Sequence, residues 1–355
     1  MGTRQSLNPE SEPDPPGRWR TVLFAIVALA CAVVIAWSVS RVVRQGATPA
    51  SADPAEALDG SGPPAGDGSA RLLFLQQAGE AGDGRLVWAP LDAPAASGIS
   101  TPLTCERVDM AEGVGVCLAR RRRFPVSYAA VIFDGRFQVR AELPLPGVPS
   151  RTQVSPSGRY AGVTVFVSGH SYAAGNFSTR TSIIDLQAGR WLVEDLETLT
   201  VRQGAESVQS VDFNFWGVTF AADDQRFFAT LGTGGRTYLV RGVPGGPVLE
   251  IVAADVECPS LSPDGRRVAY KHRTAQSMGA AFWQIWVLDL ETGDRHALAE
   301  PGNVDDQVQW IDDATVMYAM PGDRSGVMDT WAVPADGSGQ PTLLRAGAYS
   351  AFVMR

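Results

Sequence analysis

Pro259-Ser260-Leu261-Ser262-Pro263-Asp264-Gly265-Arg266-Arg267-Val268-Ala269-Tyr270 is followed, after a less regular stretch, by Gln284-Ile285-Trp286-Val287-Leu288-Asp289-Leu290-Glu291-Thr292-Gly293-Asp294 and then Arg295-His296-Ala297-Leu298. In Pro263-Asp264-Gly265 the proline pre-sets φ and the glycine accepts a positive φ, so the chain turns sharply. The flanking runs are rich in β-branched and aromatic residues and too short for helices, so they read as strands. Asp289–Asp294 supplies a second turn. The unit is strand, turn, strand, loop, strand, turn, strand, which is the anatomy of one propeller blade.

Weaker copies fill the chain from residue 71 onward. Strands following a turn begin at Arg71-Leu72-Leu73-Phe74-Leu75, Gly113-Val114-Gly115-Val116-Cys117, Arg159-Tyr160-Ala161-Gly162-Val163, Arg226-Phe227-Phe228-Ala229, Arg266-Arg267-Val268-Ala269-Tyr270 and Thr315-Val316-Met317-Tyr318. The preceding turns include Ser155-Pro156-Ser157-Gly158, Ala222-Asp223-Asp224-Gln225 and Ile311-Asp312-Asp313-Ala314. Six copies across residues 71–355 give 285/6, or 47.5 residues each, within the ~40–50 of propeller blades. Seven blades also fit by length, but no seventh turn-plus-strand is present. The third copy is the longest, and Gly169–Ser178 and Glu194–Glu206 read as surface insertions. The first copy starts at what is the second strand of the others, while Ala348–Val353 is a spare strand at the far end. The spare is expected to pair with Leu72–Gln76 and close the ring, removing an exposed sheet edge.

The Ser-Pro-Asp-Gly-Arg turn, the aromatic-bearing strand after it and Ile-Trp-Val-Leu-Asp-Leu-Glu-Thr-Gly resemble the TolB-type WD-like propeller repeat. The fifth copy matches well, the third and sixth moderately, the others by pattern only. The resemblance covers about residues 71–355 and implies a six-bladed propeller in the periplasm, which in that family is paired with a small α/β domain.

Residues 1–70 read differently. Residues 1–20 are polar and proline-bearing, as a disordered cytoplasmic tail would be. Thr21–Ser40 is 20 residues without a charge, long enough to cross a hydrocarbon core of ~30 Å as a helix. Arg18, Arg20, Arg41 and Arg44 flank it and Trp37 lies near one end. A cleaved signal has a shorter apolar core. A lipidated Cys31, after Ala28-Leu29-Ala30, fits a lipobox only imperfectly. An uncleaved anchor over 21–43 is therefore expected, with a flexible Ala/Gly/Pro linker over 44–70 that spans roughly 25–30 Å as a coil. The flanking arginines are tied, so orientation rests on the linker without Lys or Arg and on an expected disulfide. Both point to a cell membrane protein, single-pass, with its propeller outside the cytoplasm.

The chain of 355 residues is 45% hydrophobic, carries 37 glycines and 24 prolines, and has a net charge of −8. Few stretches outside the N-terminus suit a helix, so the class is all-β: a six-bladed β-propeller preceded by one transmembrane helix and a disordered tether. An acidic chain lacks the basic face that nucleic acid requires. There is one lysine, Lys271, against 29 arginines, which reads as the codon bias of a GC-rich genome.

Cys105 and Cys117 flank a turn at Asp109–Gly113. Antiparallel pairing centred on Ala111 would set them opposite each other at disulfide distance. Gly169-His170-Ser171-Tyr172-Ala173 looks like a nucleophile elbow but lacks the strand–helix context such an elbow needs. His170, His272 and His296 share no metal-ligand spacing. Arg120–Arg123 reads as a solvated turn, with an anchor for acidic lipid or protein as the sharper alternative. Trp216, Trp283, Trp286, Trp310 and Trp331 read as inter-blade core. No cofactor or metal is implied.

In a propeller the first strand of each blade lines the funnel. Those strands and their lead-ins carry Glu106, Asp212, Asp255, Glu257, Asp305 and Asp306 against Arg107 and Arg151, six acids to two bases. Such a funnel would attract a cationic group, a basic peptide or a cation; the blander alternative is that these acids cap turns locally. The function expected is non-catalytic binding or scaffolding of a cell-envelope partner by a monomeric propeller. The alternative is a hydrolase of an envelope glycan or lactone that uses the funnel, for which converging carboxylates or histidines would be required.

Overall fold

The computed structural model describes residues 23, 26, 27, 29, 31, 69–77, 84–121, 124–167, 178–277 and 280–355. The chain forms two compact units, Met1–Asp59 and Gly60–Arg355. In the first, Leu23, Ile26, Val27, Leu29 and Cys31 are helical and exposed. The rest of the expected anchor, the tail, most of the linker, the Gly169–Ala173 motif and Arg122–Arg123 lie outside the described residues. Among the described residues no helix is long and apolar enough to cross a membrane.

The second unit is a propeller. Its strands in chain order are β1 (Arg71–Gln76), β2 (Arg85–Pro90) and β3 (Ile99–Thr104), then β4 (Arg107–Ala111), β5 (Val114–Arg121), β6 (Ser127–Asp134) and β7 (Val139–Leu145). They continue as β8 (Val148–Val154), β9 (Tyr160–Val167), β10 (Ser178–Asp185) and β11 (Arg190–Val193), followed by the short β12 (Thr200–Gln203) and β13 (Glu206–Val208). Next come β14 (Asn214–Phe220), β15 (Phe227–Thr233), β16 (Arg236–Gly242) and β17 (Val248–Ala254), then β18 (Glu257–Leu261), β19 (Arg267–Ser277), β20 (Ala280–Asp289) and β21 (Arg295–Ala297). The last are β22 (Gln309–Asp312), β23 (Thr315–Pro321), β24 (Met328–Pro334), β25 (Thr342–Arg345) and β26 (Ala348–Met354). They form six sheets among the described residues: β26-β1-β2-β3, β4 to β7, β8 to β11, β14 to β17 with β12 and β13 added, β18 to β21, and β22 to β25.

The turns form as their side chains dictate. Gly265, with φ +70°, donates its N–H to the Ser262 carbonyl at 2.8 Å, and the Ser262 hydroxyl accepts the N–H of Arg267 at 2.9 Å. The third blade repeats the arrangement with Gly158 and Ser155 and with the N–H of Tyr160 on the Ser155 hydroxyl at 3.1 Å. A side-chain oxygen that satisfies the backbone of the next strand is the physical content of the Ser-Pro-Asp-Gly pattern.

Buried apolar residues collect between blades. One cluster joins Phe228, Leu239 and Val256 to Val268, Tyr270 and Leu288; another joins Ile285 and Val287 to Trp310, Tyr318 and Val333. The ring closes as expected. Leu72 pairs with Val353, Leu73 with Phe352 and Gln76 with Ala348, and the surrounding core takes in Met317 and Ala332 from the last blade. Both chain ends of the propeller therefore share one sheet and leave no open edge between them.

Two expectations are corrected. The stretch read as an insertion of the third copy contributes β12 and β13 to the fourth blade instead. Thr200, Val201 and Arg202 pair in parallel with Val248, Leu249 and Glu250, and Val201 and Leu249 are both buried. This covers what would otherwise be the free outer edge of β17. The second correction concerns the cysteine hairpin. Ala111 pairs with Val114 and Val108 with Cys117, so the turn is Glu112-Gly113, both at positive φ, a two-residue turn suited to the strand twist. Cys105 thus lies ahead of the strand rather than across a rung from Cys117. The disulfide is nonetheless formed, with the Cα atoms 5.4 Å apart, because the chain bends toward β5 where Glu106 N–H donates to the Leu118 carbonyl at 2.7 Å.

Candidate functional site

The six inner strands, β26, β4, β8, β14, β18 and β22, surround the central funnel. At their beginnings a narrow cavity is lined by Arg107, Arg151, Asp306, Gln307, Gln309 and Ser350. At their ends a wider chamber is lined by Asp109, Gln153, Phe220, Ser260, Trp310 and Phe352, among others. Between the two, glutamine side chains bridge the channel. Gln153 of the third blade donates to the Gln309 side-chain carbonyl of the sixth at 3.1 Å. Gln307 donates to the carbonyls of Val218 and Pro259 at 3.3 and 3.2 Å. The first bond ties opposite blades and the others tie the lead-in of the sixth blade to the fourth and fifth, and the funnel has a cavity toward each end.

The first mouth gathers charge. Lys271 Nζ donates to Asp305 Oδ1 at 2.5 Å and lies 4.5 Å from the centre of the Trp283 ring. The two partners differ in access: the Lys271 side chain is 5% exposed and that of Asp305 60%. Burial alone would lower the Lys271 pKa, but the neighbouring Cys258 sulfur and the Asp305 carboxylate outweigh it and raise the pKa, so the group stays an ammonium. Burial likewise opposes ionisation of Asp305, and Lys271 followed by Arg151 overcomes it, leaving its pKa below the usual carboxylate range. Arg151 donates to the carbonyls of Ser150 at 2.9 Å and Asp305 at 3.4 Å. Arg107 reaches the carbonyls of Ser150 at 2.7 Å and Glu106 at 2.9 Å. Burial and then the charge of Arg151 lower the Arg107 pKa, although a guanidinium stays protonated in proteins. The bases are thus bonded down onto the wall, and Asp305 faces outward above them.

Of the six acids expected at the funnel, the structure brings four together. Asp305 and Asp306 stand beside Arg151 and Arg107, with Asp306 Oδ2 accepting the N–H of Ala319 at 3.2 Å. Glu106 is half-buried next to Arg107. Glu257 is buried beside Lys271, its partner across the strands, and burial raises its pKa against the pull of Lys271 and Arg273. The other two serve elsewhere. Asp212 accepts from Ser210, Thr233 and the N–H of Gly234, at 2.5, 2.6 and 2.8 Å, a turn cap that holds its pKa low. Asp255, at φ +59°, pairs with Arg236 at 3.9 Å on the surface.

The three glutamines were not singled out from sequence, and Lys271 was read there only as codon bias. The lysine sits on a second strand, which ordinarily would not face the funnel. A register shift between Glu257 and Ser260, where Cys258 takes φ +49°, sets it opposite Glu257 at the mouth. Its rarity was the available signal: the only lysine of the chain is buried against a carboxylate. Trp216 and Trp310 are buried, and Trp286 and Trp331 pack partly buried against the clusters between blades, as expected, whereas Trp283 lies beside Lys271. His272 and His296 are on separate strands, and among the described residues no group of three His, Cys, Asp or Glu is placed to hold a metal ion.

The closed ring, the shared first sheet and the charged mouth define a six-bladed β-propeller. Among solved structures the fold is shared with TolB from Acinetobacter baumannii, at 15% identity and a TM-score of 0.56, over 81% of this chain and 67% of that one. A chain in the nidogen/laminin complex is similar at 12% identity and a TM-score of 0.53, over 80% of this chain and 98% of that one. A putative TolB from Agrobacterium tumefaciens matches at 10% identity and a TM-score of 0.46, over 80% and 97%. The first two likenesses are of fold. No family model matches the sequence, and no curated protein matches it.

Proposed function

We propose that the protein is a non-catalytic binding or scaffolding propeller, held at the cell membrane by its N-terminal segment with the propeller outside the cytoplasm. Its partner is an envelope protein that presents a basic side chain or basic peptide to the first mouth of the funnel. The observation that carries this reading is the exposed Asp305 carboxylate above a buried Lys271, with Asp306 beside it in the chain and Glu106 ahead of the second blade. A carboxylate fixed in place by a buried cation is preorganised, so a second cation arriving from solvent meets an ordered acceptor.

The test is capture from envelope extract by full-length protein, compared with Asp305→Asn/Asp306→Asn. The variant should bind more weakly and with a flatter salt dependence, while the wild-type complex dissociates as salt rises. Equal capture at every salt concentration would place the partner elsewhere. A reporter active only outside the cytoplasm, fused after Arg355, tests the orientation: silence beside a working cytoplasmic fusion would reverse it.

A further inference from the structure

The second mouth is chemically unlike the first. Its chamber has a volume of about 280 Å³, near the lower end for small-molecule pockets, and all six inner strands contribute to its wall. Phe220, Trp310 and Phe352 are buried side chains that border it. Three polar groups share that wall. Gln153 is buried, and its side-chain oxygen has no hydrogen-bond partner within the protein. Ser260 is fully buried, and its hydroxyl has none either. Asp109 is buried too; its two oxygens accept the N–H groups of Met110 at 2.9 Å and Val154 at 2.7 Å. A carboxylate offers about four acceptor positions, so two remain, and among the described residues no basic side chain pairs with it. Glu112 adds a second acid to the lining, and Arg355, whose guanidinium donates to the Ile311 carbonyl, is the basic residue there.

Two buried oxygens in the wall of the chamber, on Gln153 and Ser260, lack a partner, and the Asp109 carboxylate keeps acceptor positions beyond its two backbone bonds. A neutral apolar ligand would leave them unmet, and an anion would face Asp109. A protonated amine supplies three N–H donors and a charge at once. We propose that the second mouth is a binding site for a small organic ammonium ion, a primary amine on an aromatic or short aliphatic body. Asp109, Gln153 and Ser260 accept its N–H groups, and Phe220, Trp310 and Phe352 pack the body. The site is separated from the first mouth by the Gln153–Gln309 bond and stands independently of the partner assigned there.

Titration calorimetry of the full chain with 2-phenylethylamine, in mildly alkaline buffer, tests the assignment against 2-phenylethanol, which has the same body without the charge. The amine should bind saturably, one per chain, and at least about tenfold more tightly than the alcohol, as expected for charge-assisted bonds. Asp109→Asn should weaken the amine by about tenfold or more and leave the alcohol little changed. Ala222, exposed on the rim of the chamber, offers a second variant that spares the core. Ala222→Trp should block both ligands, and it decides the question if Asp109→Asn does not fold. Absence of saturable binding, equal affinity for amine and alcohol, or unchanged amine binding in Ala222→Trp would each overturn the proposal.

Discussion

Removing the disulfide probes the region where the ring closes. Cys105 and Cys117 are separated by 12 residues, and for a loop of that size the chain-entropy model gives a stabilisation of about 3 kcal/mol. For a domain of this size that corresponds to a fall in Tm of roughly 5–10 °C. The consequences should extend beyond the hairpin. Cys105 N–H donates to the Gly84 carbonyl at 2.8 Å, and the Tyr349 hydroxyl donates to the Cys105 carbonyl at 3.4 Å. The bridge therefore pins the crossing from the first blade to the second beside the closing strand β26. Cys105, Cys117 and Phe352 belong to one buried cluster. Cys105→Ala/Cys117→Ala combined with Phe352→Ala should then be non-additive by about 0.5–3 kcal/mol, as expected for residues that share a core. Thermal melts of the two variants and their combination, read by circular dichroism, measure the terms, with non-reducing peptide mapping to verify the bridge in the parent. Coincident melts of the bridged parent and the double alanine variant would refute the entropy argument. Strict additivity would refute the link to closure.

Phe352 is 3% exposed and faces Leu73 across the closing pair, so Phe352→Ala alone should cost about 3–5 kcal/mol in denaturant midpoints. Val211→Ala, at an exposed position, should stay within about 0.5 kcal/mol. Asp109 should impose a pH dependence of stability. Burial, opposed by the N–H bonds from Val154 and Met110, raises its pKa from 3.8 to about 7. The folded state thus binds more protons than the unfolded one between these values. This contribution is full below the unfolded pKa and is lost as pH rises to the folded one, for a total on the order of 4 kcal/mol. Asp109→Asn lacks this loss, at the cost of one backbone bond of about 1 kcal/mol. Its stability relative to wild type should therefore improve between mildly acidic and mildly alkaline buffer, and parallel curves in urea would contradict the assignment.

The scaffold was legible because its instructions are local. The Ser262–Arg267 turn needs only its own residues, and the spare strand followed from counting strands in a repeat that begins one strand late. The hairpin register was less so. It turns on whether Glu112-Gly113 or Ala111 makes the turn, a shift of a few residues, and the bond between Cys105 and Cys117 is compatible with either once the chain bends at Glu106. The edge strands at 200–208 were misassigned because the neighbour they cover, β17, pairs from 48 residues onward (Thr200 with Val248) and nothing in Thr200–Gln203 names it. The site was least legible for the same reason on a larger scale. Gln153 and Gln309 meet across the channel from 156 positions apart, and Lys271 meets Asp305 from 34, so no motif of contiguous residues encodes either contact. A sequence tally of acids against bases captured four of the six acids at the first mouth. It missed the lysine that fixes one of them in place, because that depends on the bulge at Cys258. In a propeller each blade contributes one or two side chains to the axis, roughly a repeat length apart. The chemistry of such a site is set by which strand positions the bulges and register shifts turn inward.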